Sequence, residues 1–127
     1  DQNKVALMTI HLAKGLEFPM VFIVGLEEGL FPGMMSVGSR ADLEEERRLF
    51  YVALTRAEQE AVLTYTQMRY RWGKLIDCEP SRFLEELDEK FVDIKVPEIS
   101  PFSGPYGFEA WFGGRTTRIN YLIKFTV

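Results

Sequence analysis

Apolar positions in this chain fall into blocks whose spacing changes character along the sequence. Val5 to Ile10 is a short, mainly apolar run rich in β-forming residues, so a strand is expected there. Met20 to Leu26 (MVFIVGL) is apolar at nearly every position, the pattern of a strand covered on both faces in a parallel α/β sheet. Between them lies AKGLEFP, where Gly15 permits a tight turn and Pro19 disfavours a helix. Residues 29–40 (GLFPGMMSVGSR) hold three glycines and a proline and read as an exposed loop.

From Asp42 onward the period lengthens. Leu43, Leu49, Phe50, Ala53, Leu54 and Ala57 recur at helical spacing. Asp42, Glu44, Glu45 and Glu46 crowd the start of that helix, where carboxylates suit the positive end of the dipole. Ala61 to Thr66 reads as a third strand, and Tyr70 to Glu79 as a polar, aromatic connector. Pro80-Ser81 opens a short helix through SRFLEELDEK, and Phe91 to Val96 is a last short strand. Past Pro97 the chain is dense in Pro, Gly and aromatics without a period, which predicts a linker or irregular tail over residues 97–127. The terminal NYLIKFTV has strand composition but no clear upstream partner. The fold class is therefore α/β: a partial parallel sheet flanked by helices over residues 1–96, followed by the tail.

Composition narrows the function classes. A chain of 127 residues with 46% hydrophobic and 27% charged residues is ordinary for one globular domain. No apolar run approaches the roughly 18 residues that cross a bilayer, so no membrane partner is expected. The first residues lack the pattern of a signal peptide, and a cytoplasmic location is expected. Cys78 has no second cysteine to pair with, and one Cys with one His cannot supply a structural zinc site. No metal site is expected in this chain. A net charge of −4 argues against a free-standing, nonspecific nucleic-acid binder, so any DNA contact is local or shared with other parts of a protein.

Chemistry concentrates in two blocks, TIHLAKGLEFPMVFIVGLEEGLFP (Thr9 to Pro32) and LEEERRLFYVALTRAEQEAVLTYT (Leu43 to Thr66). Thr9 and His11 follow an apolar run, at the kind of strand end where open α/β sheets hold ligands. Both side chains can donate to phosphate oxygens, contacts that fix register without reading sequence. Taken alone, His11 is as well explained as a satisfied histidine at a strand end. Arg56, in VALTRA, sits at the end of a helix that apolar packing would hold rigid, which suits a guanidinium presented to phosphoryl charge. Taken alone, it is better explained as a solvated arginine near a helix C-terminus. Arg47 and Arg48 are better explained by salt bridges, Glu44 to Arg48 being spaced i,i+4. Glu27 and Glu28 read as solvated loop. YTQMRYRWGK interleaves aromatics with Arg69, Arg71 and Lys74, which fits either single-strand stacking or a packed turn with snorkelling bases.

Together the two blocks resemble helicase motifs V and VI of superfamily 1 DNA helicases of the UvrD/PcrA/Rep type, in order and spacing, over about residues 5–94. PSRFLEEL resembles the segment that follows motif VI in those enzymes. The resemblance implies the C-terminal part of the second RecA-like motor domain of an ATP-dependent 3′–5′ helicase. It implies that Thr9, His11 and Lys14 meet the single-stranded DNA backbone. It further implies that Gly15 and Glu17 serve the nucleotide, with Glu17 reaching the ribose. Arg56 would act as the arginine finger on ATP held by the first motor domain. Position 12 is Leu where a small Ser is common in the family, so the loop beside His11 is expected to pack differently.

No G-x-x-x-x-G-K-[ST] loop occurs in the sequence, and Gly73-Lys74 is followed by Leu75. ATP with Mg is the implied cofactor, its Mg ligands lying in the first motor domain, and the fragment alone is expected to be inactive. Implied partners are single-stranded or junction DNA, that first domain, and repair proteins. The family inserts a large subdomain just before the motif V strand. The sheet is therefore expected to be incomplete, with an edge that the tail could cover by strand addition. Two other readings compete: a non-catalytic interaction module with a helicase-like fold, and a helicase subunit of an AddA or RecB type helicase–nuclease.

Overall fold

The computed structural model describes residues 4–95 and 121–126. Strand β1 (Phe18–Ile23) runs parallel to β2 (Ala57–Tyr65), in register from Phe18 beside Ala57 to Ile23 beside Leu63. The crossover between them holds a four-residue helix α2 (Met34–Val37) and the long helix α3 (Arg40–Leu54). Helix α3 starts two residues before Asp42 because the Ser39 hydroxyl caps it, accepting from the Asp42 backbone N–H. Its apolar stripe turns inward as the period predicts, burying Phe50, Ala53 and Leu54 against Ile23, Leu26, Ala61 and Leu63 of the sheet side. Phe31, Phe50 and Phe83 close this core, with ring centroids 5.6–6.3 Å apart.

The strand expected over Val5 to Ile10 is absent. Residues 4–9 carry no regular structure, Val5 and Leu7 are each 99% exposed, and Ile10–Ala13 forms a short helix, α1. A strand is fixed by its neighbour's hydrogen bonds, and no described residue pairs with this segment. Thr9 instead caps α1, its hydroxyl accepting from the Leu12 N–H at 3.3 Å. The expectation that Met20 to Leu26 is covered on both faces also fails. Ile23 and Leu26 are buried, but Met20, Phe22 and Val24 point outward at 48%, 61% and 67% exposure. Helix α3 covers one face of β1 and nothing described covers the other.

The segment read as a connector is a hairpin, β3 (Met68–Arg71) and β4 (Lys74–Asp77), antiparallel about the turn Trp72-Gly73. Beyond it stand α4 (Arg82–Glu85), a 3₁₀ turn at Glu89–Phe91 and β5 (Val92–Lys95), so the helix predicted through SRFLEELDEK is shorter than its sequence suggested. Strand β6 (Tyr121–Thr126) lies antiparallel between β2 and β5, giving the sheet order β1-β2-β6-β5. The terminal run thus has β2 and β5 as partners, so the tail expected to be irregular over 97–127 ends in a sheet strand; residues 97–120 of it lie outside the described residues.

Candidate functional site

Parallel pairing of β1 with β2 brings two distant residues together. Glu17 immediately precedes β1 and Arg56 immediately precedes β2, and the register sets Phe18 beside Ala57. The Phe18 N–H donates to the Arg56 carbonyl at 2.9 Å, while Arg56 Nη1 donates to the Leu16 carbonyl at 3.0 Å. Glu17 is therefore bracketed on both sides by contacts to Arg56. Both residues stand at the amino ends of the strands, the opposite end from the usual ligand crevice of an open α/β sheet.

Three acceptors orient the Arg56 guanidinium. Besides the Leu16 carbonyl, Nε donates to the Val52 carbonyl at 3.2 Å and Nη2 to the Thr55 hydroxyl at 3.2 Å. That hydroxyl donates in turn to the Val52 carbonyl at 2.9 Å. All three acceptors are neutral, and no carboxylate of the described residues lies within ion-pair distance of Arg56. The contrast with the same helix is sharp. Arg47 pairs with Glu44 and Glu86, and Arg48 with Glu45 at 2.7 Å rather than with Glu44. Arg56 is half-buried, aligned and unneutralised, a fit for an anion; Glu17 is an exposed carboxylate beside it, a fit for hydroxyl donors.

Gly15 makes this juxtaposition possible. Its φ of +84° is left-handed, and a Cβ there would meet nothing within 4 Å, so the requirement is conformational rather than spatial. Thr9, His11 and Lys14 lie just upstream on and around α1, all exposed. The capping bond uses Thr9 Oγ1 as an acceptor and leaves its proton free to donate. Buried Ala13 and the partly buried Ile10 seat this helix against the core.

Glu27 and Glu28 are not solvated loop. Glu27 is 1% exposed, its Oε1 accepting from Nε and Nη2 of Arg69 at 3.2 and 2.7 Å. Glu28 forms a fork with Arg82 and also accepts from the Arg82 backbone N–H at 2.7 Å. Hydrogen bonds from Arg82 hold the Glu28 carboxyl below the usual range, outweighing its partial burial. Burial pushes the Cys78 thiol up, which disfavours its thiolate form.

At the hairpin tip Trp72 is 72% exposed with φ +51°, and the Arg71 guanidinium sits 4.3 Å over its ring. Two consecutive left-handed residues are what a tight two-residue hairpin turn demands, but a tryptophan in that conformation is strained. The W-G pair between two short runs is the sequence signal that marks this turn. Among the described residues no helix is long and apolar enough to cross a membrane.

The parallel βαβ unit carries both motif blocks, and hydrogen bonds from Phe18 and to Leu16 hold Arg56 of one block against the backbone on either side of Glu17 of the other. The comparisons agree: residues 1–68 match the UvrD-like helicase C-terminal domain, and the chain belongs to that family. It is 56% identical over 92 residues to DNA helicase II of Escherichia coli (strain K12), covering 72% of this chain and 13% of that protein. It is 49% identical over 129 residues to the ATP-dependent DNA helicase PcrA of Bacillus subtilis (strain 168), covering 91% of this chain and 18% of that relative. PcrA of Staphylococcus epidermidis (strain ATCC 12228 / FDA PCI 1200) is 48% identical over 122 residues, covering 91% of this chain and 16% of that relative. The chain thus spans less than a fifth of the length of these relatives.

Proposed function

We propose that this chain is the C-terminal motor-domain portion of an ATP-dependent 3′–5′ DNA helicase or translocase, completing a nucleotide site whose phosphate loop stands on another domain of the same polypeptide. The observation that carries the reading is Arg56, oriented by three neutral acceptors and held against the backbone beside Glu17. An arginine that no carboxylate of the described residues pairs with is suited to the charge that develops on the γ-phosphate, a role worth roughly 10³–10⁵ in rate. Glu17 accepts hydrogen bonds from the ribose hydroxyls, and Gly15 supplies the turn that delivers it. ATP arrives with Mg, whose ligands belong to the phosphate-loop domain; bound there, the metal neutralises charge on the phosphates.

Thr9, His11 and Lys14 meet the backbone of single-stranded DNA through a hydroxyl, an imidazole and an ammonium, contacts that carry no sequence preference. They share the short Thr9–Glu17 segment with the ribose contact, so nucleotide and DNA read the same piece of chain. Trp72 with Arg71 adds a stacking surface of the kind that single-strand binders use. Residues 1–96 make the motor portion, and the linker or tail over 97–127 returns to its sheet through β6. The working protein is cytoplasmic, and its partners are single-stranded or junction DNA, its own first motor domain and repair proteins. Names of the relatives support the class: they are called DNA helicase II and ATP-dependent DNA helicase.

By itself the 127-residue chain is expected to show no DNA-stimulated ATP turnover. Measurable turnover by the purified chain, abolished by Arg56→Ala, would overturn the claim that it supplies only half of the site.

A further inference from the structure

We propose that Glu27 is a positioning residue that sets the angle of the β3–β4 hairpin and so presents Trp72 for stacking on a nucleic-acid base. The proposal rests on the reading of the hairpin as a nucleic-acid contact. Glu27 lies in the turn after β1, and Arg69 lies 42 residues later on β3. The turn does not need this pair to reach its neighbours. The Leu26 N–H donates to the Thr64 carbonyl at 3.1 Å, the Glu28 N–H to the Glu79 carbonyl at 3.0 Å, and the Ser81 N–H to the Leu26 carbonyl at 2.8 Å.

What the pair adds is a fixed point on the hairpin itself. Burying a carboxylate to 1% exposure is costly, and Glu27 Oε2 has no hydrogen-bond partner among the described residues. An apolar side chain would fill the same turn at lower cost. The geometry shows what the carboxylate achieves instead. Both bonds from Arg69 converge on one oxygen, and alternation along β3 puts Arg69 and Arg71 on the same face. Arg71 then lies over the Trp72 ring. The buried anchor thus fixes Arg69 on β3, two residues along the same strand from the Arg71 that lies over the strained and exposed tryptophan at the tip.

The test is a double-mutant cycle on the affinity of the full-length protein carrying this segment for an oligo-dT strand, read by fluorescence anisotropy. Trp72→Ala should weaken binding roughly 5- to 150-fold, the range for losing one stacked base. Glu27→Gln should produce an intermediate loss by itself and no further loss in the Trp72→Ala background, because it acts through that ring. Arg69→Lys keeps the charge but not the fork, and should reproduce the Glu27→Gln pattern; it serves as the reading should Glu27→Gln fail to fold. Unchanged affinity in Glu27→Gln, or losses that multiply with those of Trp72→Ala, would leave Glu27 a purely structural residue and overturn the proposal alone. Unchanged affinity in Trp72→Ala would overturn the hairpin reading and the proposal with it.

Discussion

At the scale of single residues, neighbours rather than residue type decide function. Arg47, Arg48 and Arg56 are three arginines of one segment, and two of them spend their charge on glutamates. Arg56 alone of these is aimed by neutral oxygens. Thr55 is the side chain that does part of the aiming, accepting from Nη2 while donating to the Val52 carbonyl. Thr55→Val in the full-length protein should lower kcat for ATP hydrolysis about fivefold, the value of one hydrogen bond near 1 kcal/mol. The KM for ATP should change little, and Thr55→Ser should restore the rate; steady-state kinetics separates these outcomes. The Glu28–Arg82 pair makes a prediction about pH. Its carboxyl is depressed in the folded chain, so its stabilisation is complete above the unfolded value of about 4.3 and is lost as pH falls through the lower folded value. The unfolding free energy measured by urea denaturation should therefore be higher in the unaltered chain than in Glu28→Gln above about pH 4.3, with the gap closing as pH falls below it. Arg56 and Glu17 were singled out in the sequence by the motif blocks, and the structure brings their backbones together. Glu27 and Glu28 were not: two acids after a strand look solvated until partners 42 and 54 residues away are brought to them.

At the scale of elements, sequence pattern succeeded where an element is stabilised by its own period and failed where it depends on a neighbour. Helix α3 has a full apolar stripe and was expected almost as it stands. Phe50, fully buried between Phe31 and Phe83, is its central anchor. Phe50→Ala should cost about 3–5 kcal/mol of unfolding free energy, measured by urea denaturation. A loss below about 1 kcal/mol would mean that the aromatic cluster is not the core. Val5 to Ile10 shows the opposite case, an apolar run that no described strand pairs with and that stays exposed. The loop over residues 29–40 was expected open, yet Glu46 of α3 reaches back to the Gly33 N–H at 2.8 Å and the Ser36 hydroxyl at 2.6 Å, and α2 forms there. A side chain ten or more residues away cannot be read from the loop's own composition.

At the scale of the whole molecule, β2 is the axis that everything shares. Arg56 stands at its amino end, the Trp72 hairpin follows its carboxyl end, and β1 and β6 flank it. Nine strand residues span roughly 30 Å, so the Arg56 and Trp72 ends of this piece are well separated but joined through one strand. That layout could not be read from the sequence, since it depends on which strand neighbours which. The motif order did place Glu17 and Arg56 in two blocks of one chain, and the parallel pairing of β1 with β2 brings their backbones together. The central claim is that Arg56 completes a nucleotide site in trans. Its most direct test is DNA-stimulated ATP hydrolysis by the full-length protein carrying Arg56→Ala, together with ATP affinity measured on the same sample. The account predicts a fall of about 10³-fold or more in kcat with ATP affinity retained within roughly tenfold. Turnover within a few-fold of the unaltered protein would contradict it.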